Sequence, residues 1–491
     1  MSRSKAMAAA GGGGGSGARA RRGGPGAGVI AATVVGNVLE WYDFGCFAAY
    51  ADEIKVNFFP KTEDGVTEML SQFGVYAAAF LMRPVGGIIL GYVGDKFGRV
   101  VSLGISVTGM GVTAVLMAVL PSFDYAPGYS IGITATILMT IVRLVQGLSI
   151  GGELIGSLIY SNETSDSRNR MLLTVLPFAS SGGGIALGYL IAAILTHVLS
   201  PAQQNLFGWR IGFALGSPIA VLAVVARSKL QESEAFNEEK LKSSEQVEKG
   251  EEVRGIFREA VCRHGVSILL VFLVTGLFAT GLWMADAWLT VYVTQIISNP
   301  LSKTDALYIN MACILLNVAT ILAVAALIDR FLAGSRRGLF WVMASSGSVS
   351  MVSAPFLLMG VSRGTDDLAG LVLSQMAWTV LIATYSAPLT SWMIGRFPVR
   401  VRYVGLATAY NLSQAIFGGP AELLLSAIAT SSALLEAPAL YFSAVAAVSV
   451  AGLLISEFVP CAQVPRVPHS KGDPDNLNPE SSRRPSLRSN G

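Results

Sequence analysis

Long apolar blocks separated by short polar loops recur along nearly the whole chain. Each block is long enough for a helix that crosses about 30 Å of hydrocarbon. A membrane β-barrel would instead show segments of about ten residues that alternate in polarity. The pattern therefore predicts twelve membrane-spanning helices, at about 28–50, 69–92, 100–120, 131–160, 171–195, 210–227, 264–293, 307–327, 339–360, 368–395, 404–428 and 438–459.

A charged stretch between the sixth and seventh blocks divides the chain into two halves. We expect a six-helix bundle over 28–227, a charged cytosolic linker over 228–263 and a second six-helix bundle over 264–459. The ends, 1–27 and 460–491, have the composition of disordered cytosolic tails. The first is rich in Gly, Ala and Arg and has no acidic residue, a pattern also found in organelle transit peptides. The second contains a weak phosphorylation motif around Ser486.

The distribution of positive charge predicts the orientation. With both termini on one side, the loops and tails of that side hold 28 of the 35 Lys and Arg residues, and the opposite loops hold four. The remaining three lie in or beside spans. Short basic loops mark the cytoplasmic side of a membrane protein. Both termini are therefore predicted to be cytoplasmic.

The two halves also resemble each other in their loops. Asp95 and Lys96 follow the second span, and Asp329 and Arg330 follow the eighth, six helices later. The loops after the fourth and tenth spans match as RNR and RVR. This spacing predicts a parallel repeat about an axis normal to the membrane, with a binding site between the halves near the midplane.

Composition excludes several classes of protein. Only 14% of residues are charged and 52% are hydrophobic, which is unlike a soluble domain. A net charge of +3 is too small to indicate a nucleic-acid-binding protein. Four scattered cysteines and three histidines suggest neither a disulfide framework nor a metal site. We find no Walker loop, no HExxH and no nucleophile–base arrangement, so we expect no enzyme activity, no cofactor and no ATP-driven step.

Charged side chains inside the predicted spans are the candidate functional groups, because each costs about 3 kcal/mol at the bilayer centre. Glu40 and Asp43 share a helix face. One interpretation is that these acids bind protons or a substrate amine. The other is that they form structural ion pairs with Arg83 or Arg143. The predicted substrate and proton pathway comprises Glu40, Asp43, Arg83, Arg143, Gln146, Glu153, Asp286 and Glu422.

Arg143 and Glu153 are about three helical turns apart and cannot pair along their own helix. Each needs a partner elsewhere or water. Aromatic residues of the second half could line a site for a quaternary ammonium through cation–π contacts, or could simply pack: Trp283, Trp288, Tyr292, Trp378, Tyr385 and Trp392.

The loop GYVGDKFGR at 91–99 resembles the signature loop of the major facilitator superfamily. The stretches GNVLEWYDFG (36–45), RPVGG (83–87), RLVQGLSIGGE (143–153), FGWRIGF (207–213) and ESEAF (232–236) are similar to those of its metabolite:proton symporters, which carry proline and betaine, α-ketoglutarate, citrate or shikimate. The resemblance covers about residues 30–458.

The resemblance implies an all-α integral membrane protein of two pseudo-symmetric six-helix bundles. It also implies a cytoplasmic gate formed by Gly91, Gly94, Asp95, Lys96, Gly98, Arg99, Asp329 and Arg330, and coupling through Arg143 and Glu153. This sequence departs from the family at Val100, at the stretched loop DRFLAGSRRG, and at Asp286 and Glu422.

Together these observations predict a secondary active transporter that carries a small organic solute with H⁺ by alternating access. The extra acids favour an amino-acid or betaine-like zwitterion over a carboxylate metabolite. A gradient-independent facilitator, or a sensor on the same scaffold, is the alternative. We expect a plasma-membrane protein, with an organelle membrane also open, whose functional unit is the monomer and whose partners are the solute, H⁺ and the lipid bilayer.

Overall fold

The computed structural model describes residues 27–59, 65–126, 129–165, 169–248, 255–332, 335–432, 434 and 436–458. Both predicted tails lie outside these residues, apart from Ala27. Twelve long helices run through the described chain: α1 (Ala27–Ala49), α2 (Gly65–Lys96), α3 (Arg99–Val119), α4 (Ile133–Thr164), α5 (Arg170–Val198), α6 (Pro201–Arg227), α7 (Ile256–Ile296), α8 (Lys303–Leu327, extended by Ile328–Leu332), α9 (Arg336–Ser362), α10 (Leu368–Ile394), α11 (Val399–Ser431) and α12 (Ala437–Ile455).

Ten of these helices in the described chain are long and apolar enough to cross a membrane. The other two, α1 and α2, carry three of the predicted intramembrane charges. The twelve-helix prediction is confirmed, with ends that differ from the predicted ones by a few residues in most cases.

Four shorter elements of the described chain lie outside the spans, one of them the 3₁₀ helix Gly364–Asp367 before α10. The helix Ala51–Phe58 follows α1, and a two-stranded antiparallel hairpin (β1, Asp124–Ala126; β2, Tyr129–Ser130) joins α3 to α4. The helix Glu234–Glu248 occupies the stretch predicted as a charged linker. The first turns of α7 also lie there, and α7 is kinked at His264, where φ is −117° and ψ is 15°. The described part of the linker is thus largely helical.

Several spans contain a π-helical turn, which widens the helix by one residue and is frequent at functional sites. These turns are Gln204–Gly208 in α6, Met284–Trp288 and Tyr292–Ile296 in α7, Ile328–Leu332 in α8 and Gln414–Gly418 in α11. Asp286 and Gln414 both lie in such turns, so their backbone geometry differs from that of a regular helix.

The helices pack as two bundles with the same internal arrangement. In the first half α1 packs on α5 and α6, α2 on α4, and α3 on α4 and α6. In the second half α7 packs on α11 and α12, α8 on α10, and α9 on α10 and α12. The two most extensive contacts between the halves, α2 with α11 and α5 with α8, are related by the same shift of six helices. The predicted pseudo-symmetric bundles are confirmed.

Small residues allow the helix backbones to approach closely, as is common in membranes. A Cβ at Gly188 on α5 would lie 2.7 Å from the carbonyl oxygen of Tyr42 on α1. A Cβ at Gly86 on α2 would overlap the backbone of Leu148 on α4. These contacts hold α1, α2, α4 and α5 together around the buried charges of the first half.

Candidate functional site

Away from the basic loops, the acidic and basic groups of the first half form three buried clusters in the described chain. The first joins α1 to α4. The Arg143 Nη1 donates to Asp43 Oδ2 at 2.9 Å and to Gln146 Oε1 at 2.5 Å, and Gln146 Nε2 donates to the same Asp43 oxygen at 2.5 Å. Phe47 lies beneath the guanidinium, 3.7 Å from it to the ring centroid. One carboxylate therefore binds two donors beside an aromatic face.

The second cluster joins α1 to α2 and then to the other half. Arg83 Nη2 lies 3.3 Å from Glu40 Oε1, and Arg83 Nε donates to Asn411 Oδ1 on α11 at 3.3 Å. Asn411 also donates to the carbonyl oxygen of Gly151 at 2.6 Å. Neither oxygen of Glu40 accepts a hydrogen bond from a described residue, although the side chain is fully buried. Glu40 therefore has a single, long ion pair.

The third cluster contains a residue that the sequence did not identify. Arg227, the last residue of α6, donates from both terminal nitrogens to the two oxygens of Glu153, one of them at 2.6 Å. Its Nη1 also donates to the carbonyl oxygen of Leu103 at 2.8 Å. The sequence-based count placed Arg227 among the 28 basic residues of the cytoplasmic loops and tails. That placement was wrong, because the Arg227 side chain is buried in the bundle. Its position at the end of an apolar span gave no signal of this.

Aromatic rings from both halves meet near the centre of the molecule. Trp41 on α1 stacks on Trp283 on α7 with centroids 6.1 Å apart, and Phe80 on α2 meets the same ring edge-on at 5.1 Å. The Trp283 indole donates to Gln414 Oε1 at 3.2 Å. The cluster is thus shared by α1, α2, α7 and α11.

Two other aromatic residues of the second half make structural contacts instead. The Tyr385 hydroxyl donates to the carbonyl oxygen of Val274 at 2.8 Å, and the Trp378 indole donates to that of Gly281 at 3.4 Å. The remaining candidates lie apart from the central rings, with Trp288 and Tyr292 packed on each other at 4.7 Å and Trp392 under the guanidinium of Arg396. Of the six predicted aromatics, Trp283 is the one whose ring contacts in the described chain cross between the halves.

Asp286 and Glu422 lie away from the arginine clusters. Both are partly buried, on α7 and α11, and both act electrostatically on Tyr189 of α5. Within the described chain neither side chain has an ion-pair partner. Asn310 donates only to the backbone oxygen of Asp286, at 2.7 Å.

On the side that carries the basic loops, here called the basic side, two acids cap helices of the opposite half. Asp95, at the end of α2, accepts from the backbone N–H groups of Tyr403 at 3.2 Å and Val404 at 2.8 Å, in the first turn of α11. Asp329, beyond α8, accepts from those of Met171 at 3.0 Å and Leu172 at 2.9 Å, in the first turn of α5. A helix N-terminus has unpaired N–H groups and a positive dipole end. Each half thus binds the other through the same interaction.

A second layer of charges surrounds the Asp95 contact. Arg99 donates to Asp95 at 2.7 Å and to the carbonyl oxygen of Val399 at 2.8 Å. Glu163 pairs with Arg99 at 3.5 Å and with Arg402 of the other half at 2.7 Å. Sequence reasoning did not single out Glu163 or Arg402 as site residues. Lys96 and Arg330 do not join this network: they lie over neighbouring aromatic rings.

The glycines predicted for this loop lie where α11 approaches α2. A Cβ at Gly91 would lie 2.7 Å from the Val404 Cα, and one at Gly94 would overlap the ring of Tyr403. Gly98 has a φ of 123°, a conformation that L side chains rarely adopt. These three positions require glycine for close approach or for the turn.

The chain segment after α6 packs directly on this network. The Ser233 hydroxyl donates to Glu163 at 2.7 Å, and Glu232 accepts from the backbone N–H of Val100 at 3.1 Å. The buried Phe236 ring lies 5.2 Å from the Arg99 guanidinium. This contact between the linker and the α2–α3 loop was not foreseen from the sequence.

The sequence and the fold both match known transporters. Residues 29–463 match the family described as sugar (and other) transporter. A protein named putative proline/betaine transporter from Staphylococcus aureus is 30% identical over 431 residues, covering 88% of this chain and 87% of its own length. A glycine betaine/proline/ectoine/pipecolic acid transporter from Dickeya dadantii is 29% identical and covers 88% and 82%.

Solved structures show the same fold at low sequence identity. A proton:xylose symporter of the major facilitator superfamily, bound to 6-bromo-6-deoxy-D-glucose, superposes with a TM-score of 0.68 at 18% identity, covering 88% of this chain and 96% of that one. A fucose:proton symporter from E. coli gives a TM-score of 0.61 at 12% identity and covers 87% and 97%.

Proposed function

The chain belongs to the sugar (and other) transporter family of the major facilitator superfamily, and we propose that it couples the uptake of a small zwitterionic solute to proton entry. Family and relatives are transporters, so the protein is a membrane transporter rather than an enzyme. The coupling ion, the solute and the gate are parts of the proposal.

Proton coupling rests on the Asp43–Arg143–Gln146 cluster. Asp43 is 4% exposed, and only one of its oxygens accepts hydrogen bonds from described residues. Ionisable groups inside a membrane commonly mark ion or proton pathways. Protonation of Asp43 would release Arg143 from its ion pair, so the guanidinium would become available to a solute carboxylate. Replacement of Asp43 by a solute carboxylate as the partner of Arg143 would link proton binding to solute binding.

The aromatic cluster supports a zwitterion as the solute. Trp41, Phe80 and Trp283 come from both halves and pack on one another, and aromatic faces attract ammonium groups. Asp286 and Glu422 add negative charge to the second half without a basic partner among the described residues. The relatives named for proline, betaine and ectoine transport are consistent with this chemistry. A zwitterion would place its carboxylate toward Arg143 and its ammonium toward the rings.

The basic-side network would act as the cytoplasmic gate. In this conformation Asp95 and Asp329 tie the two halves together on that side. Alternating access then requires both caps to break when the solute leaves. The positive-inside rule supports cytoplasmic termini. We place the protein in the plasma membrane, with the monomer as the functional unit.

The test is uptake by purified protein in proteoliposomes. The panel holds labelled proline, glycine betaine, α-ketoglutarate, citrate and shikimate, with an inward proton gradient and with or without a protonophore. We expect accumulation of proline or betaine above equilibrium and its loss with the protonophore. Asp43→Asn should abolish accumulation, whereas Glu238→Gln, at an exposed position of the linker helix, should not.

Three results would contradict all or part of the proposal. Equilibration of the solute at a rate independent of pH would identify a facilitator. Accumulation by Asp43→Asn at the wild-type level would remove Asp43 from the coupling step. Preference for citrate or α-ketoglutarate would retain symport and overturn the assignment of a zwitterion.

A further inference from the structure

Two carboxylates one turn apart on α1 have different surroundings. Glu40 lies three residues before Asp43, about 4.5 Å nearer the basic side along the helix. Asp43 accepts two hydrogen bonds through one oxygen, whereas neither oxygen of Glu40 accepts one from a described residue. Of these two carboxylates, Glu40 therefore has fewer hydrogen bonds to offset the cost of its burial.

Ionisable groups of four other helices surround Glu40: Arg83 of α2, Glu153 of α4, Arg227 of α6 and Tyr410 of α11. Arg227 is already bound by both oxygens of Glu153. Among the described residues, only Arg83 forms an ion pair with the Glu40 carboxylate, at 3.3 Å. If Glu40 were protonated, its neutral carboxyl group would no longer require the ion pair with Arg83.

Arg83 also ties this site to the separation of the halves. It donates to Asn411 on α11, and the α2–α11 contact is one of the two most extensive contacts between the bundles. Glu40 is 0% exposed while this contact is closed. Parting of α2 and α11 on the basic side would break the Arg83–Asn411 bond and admit water to Glu40.

We propose that Glu40 is the proton-release site, and that Asp43 and Glu40 form a two-carboxyl relay along α1. The proposal rests on proton symport as the function. An O–H bond on Asp43 breaks, an O–H bond on Glu40 forms, and the Asp43 carboxylate returns to Arg143. When the basic side opens, the Glu40 proton passes to water on that side and Arg83 pairs with the carboxylate.

The test compares Glu40→Gln with Asp43→Asn and with the exposed control Glu238→Gln in proteoliposomes. We expect Glu40→Gln to lose proton-driven net accumulation but to keep counterflow, in which labelled and unlabelled solute exchange without net proton movement. Its counterflow should keep the pH dependence of the wild type, because the Asp43–Arg143 pair is unchanged. Asp43→Asn should give counterflow that does not depend on pH.

Several results would overturn the relay. Net accumulation by Glu40→Gln at the wild-type level would show that Glu40 carries no obligatory proton, and loss of counterflow in folded protein would give it another role. Carbodiimide labelling of the wild type, mapped by mass spectrometry, needs no variant: an adduct on Glu40 that increases as the pH falls supports the relay, and labelling of Asp43 alone contradicts it. Absence of proton-driven accumulation in the wild type would instead defeat the proposed function.

Discussion

Asp329→Asn should weaken the closed state of the basic side. The Asp329 carboxylate accepts from the backbone N–H groups of Met171 and Leu172 at 3.0 and 2.9 Å. Hydrogen bonds to a charged group contribute about 1.5–3 kcal/mol, and an anion at a helix N-terminus about 0.3–1 kcal/mol. The asparagine amide keeps one acceptor oxygen but carries no charge. At this half-buried site we expect the closed state to lose about 1.4 kcal/mol of stability. This loss of about 1.4 kcal/mol corresponds to a tenfold change in the equilibrium constant between the closed and open forms.

The assay is the distance distribution between spin labels at Ser228 and Glu457, with Cys262 and Cys461 replaced by serine. Both labelled positions are exposed ends of spans on the basic side, one in each half. The variant should increase the population at longer distance relative to the unsubstituted labelled protein. Asp305→Asn, at the opposite end of α8, should leave the distribution unchanged. An unchanged distribution for Asp329→Asn would refute the capping role of Asp329.

Three further outcomes follow from the buried contacts. Glu153→Gln leaves the guanidinium of Arg227 buried without its ion pair, and should cost about 3–5 kcal/mol of stability, seen as a lower Tm in detergent; an unchanged Tm would show that the pair is not structural. Gly91→Val should stop transport while the protein remains folded, because its side chain would collide with α11 when the basic side closes, and wild-type uptake would contradict that contact. Phe236→Ala removes the ring beside Arg99 and with it a cation–π contact that contributes about 0.5–2 kcal/mol. The variant should increase the open population in the same spin-label assay; no change would mean that the linker does not stabilise the closed state.

The fold could be predicted because its determinants are local. Twelve apolar blocks, the charged stretch between the sixth and seventh, and the matched acids Asp95 and Asp329 are all readable along the chain. A bilayer permits few alternatives for such blocks, since every backbone polar group must be satisfied inside the helix. The small hairpin between α3 and α4 was missed because five residues carry too little pattern.

The pairing of the buried charges could be predicted only in part. Asp43 and Glu40 were expected to meet Arg143 or Arg83 as one possibility, and the structure contains both pairs. The partner of Glu153 was not found, because Arg227 lies 74 positions away at the boundary of a span. Which helices touch depends on bundle packing, and single-sequence periodicity gives no distances between helices. The same limitation hid Glu163.

The central claim is that solute and proton move together. The most direct measurement is the internal pH of proteoliposomes that contain a trapped pH-sensitive dye, after betaine or proline is added outside with no imposed gradient. We predict acidification of the lumen that depends on the solute, that is abolished in Asp43→Asn and that is absent from protein-free vesicles. Solute entry with no change in internal pH would contradict proton symport and identify a facilitator or another coupling ion.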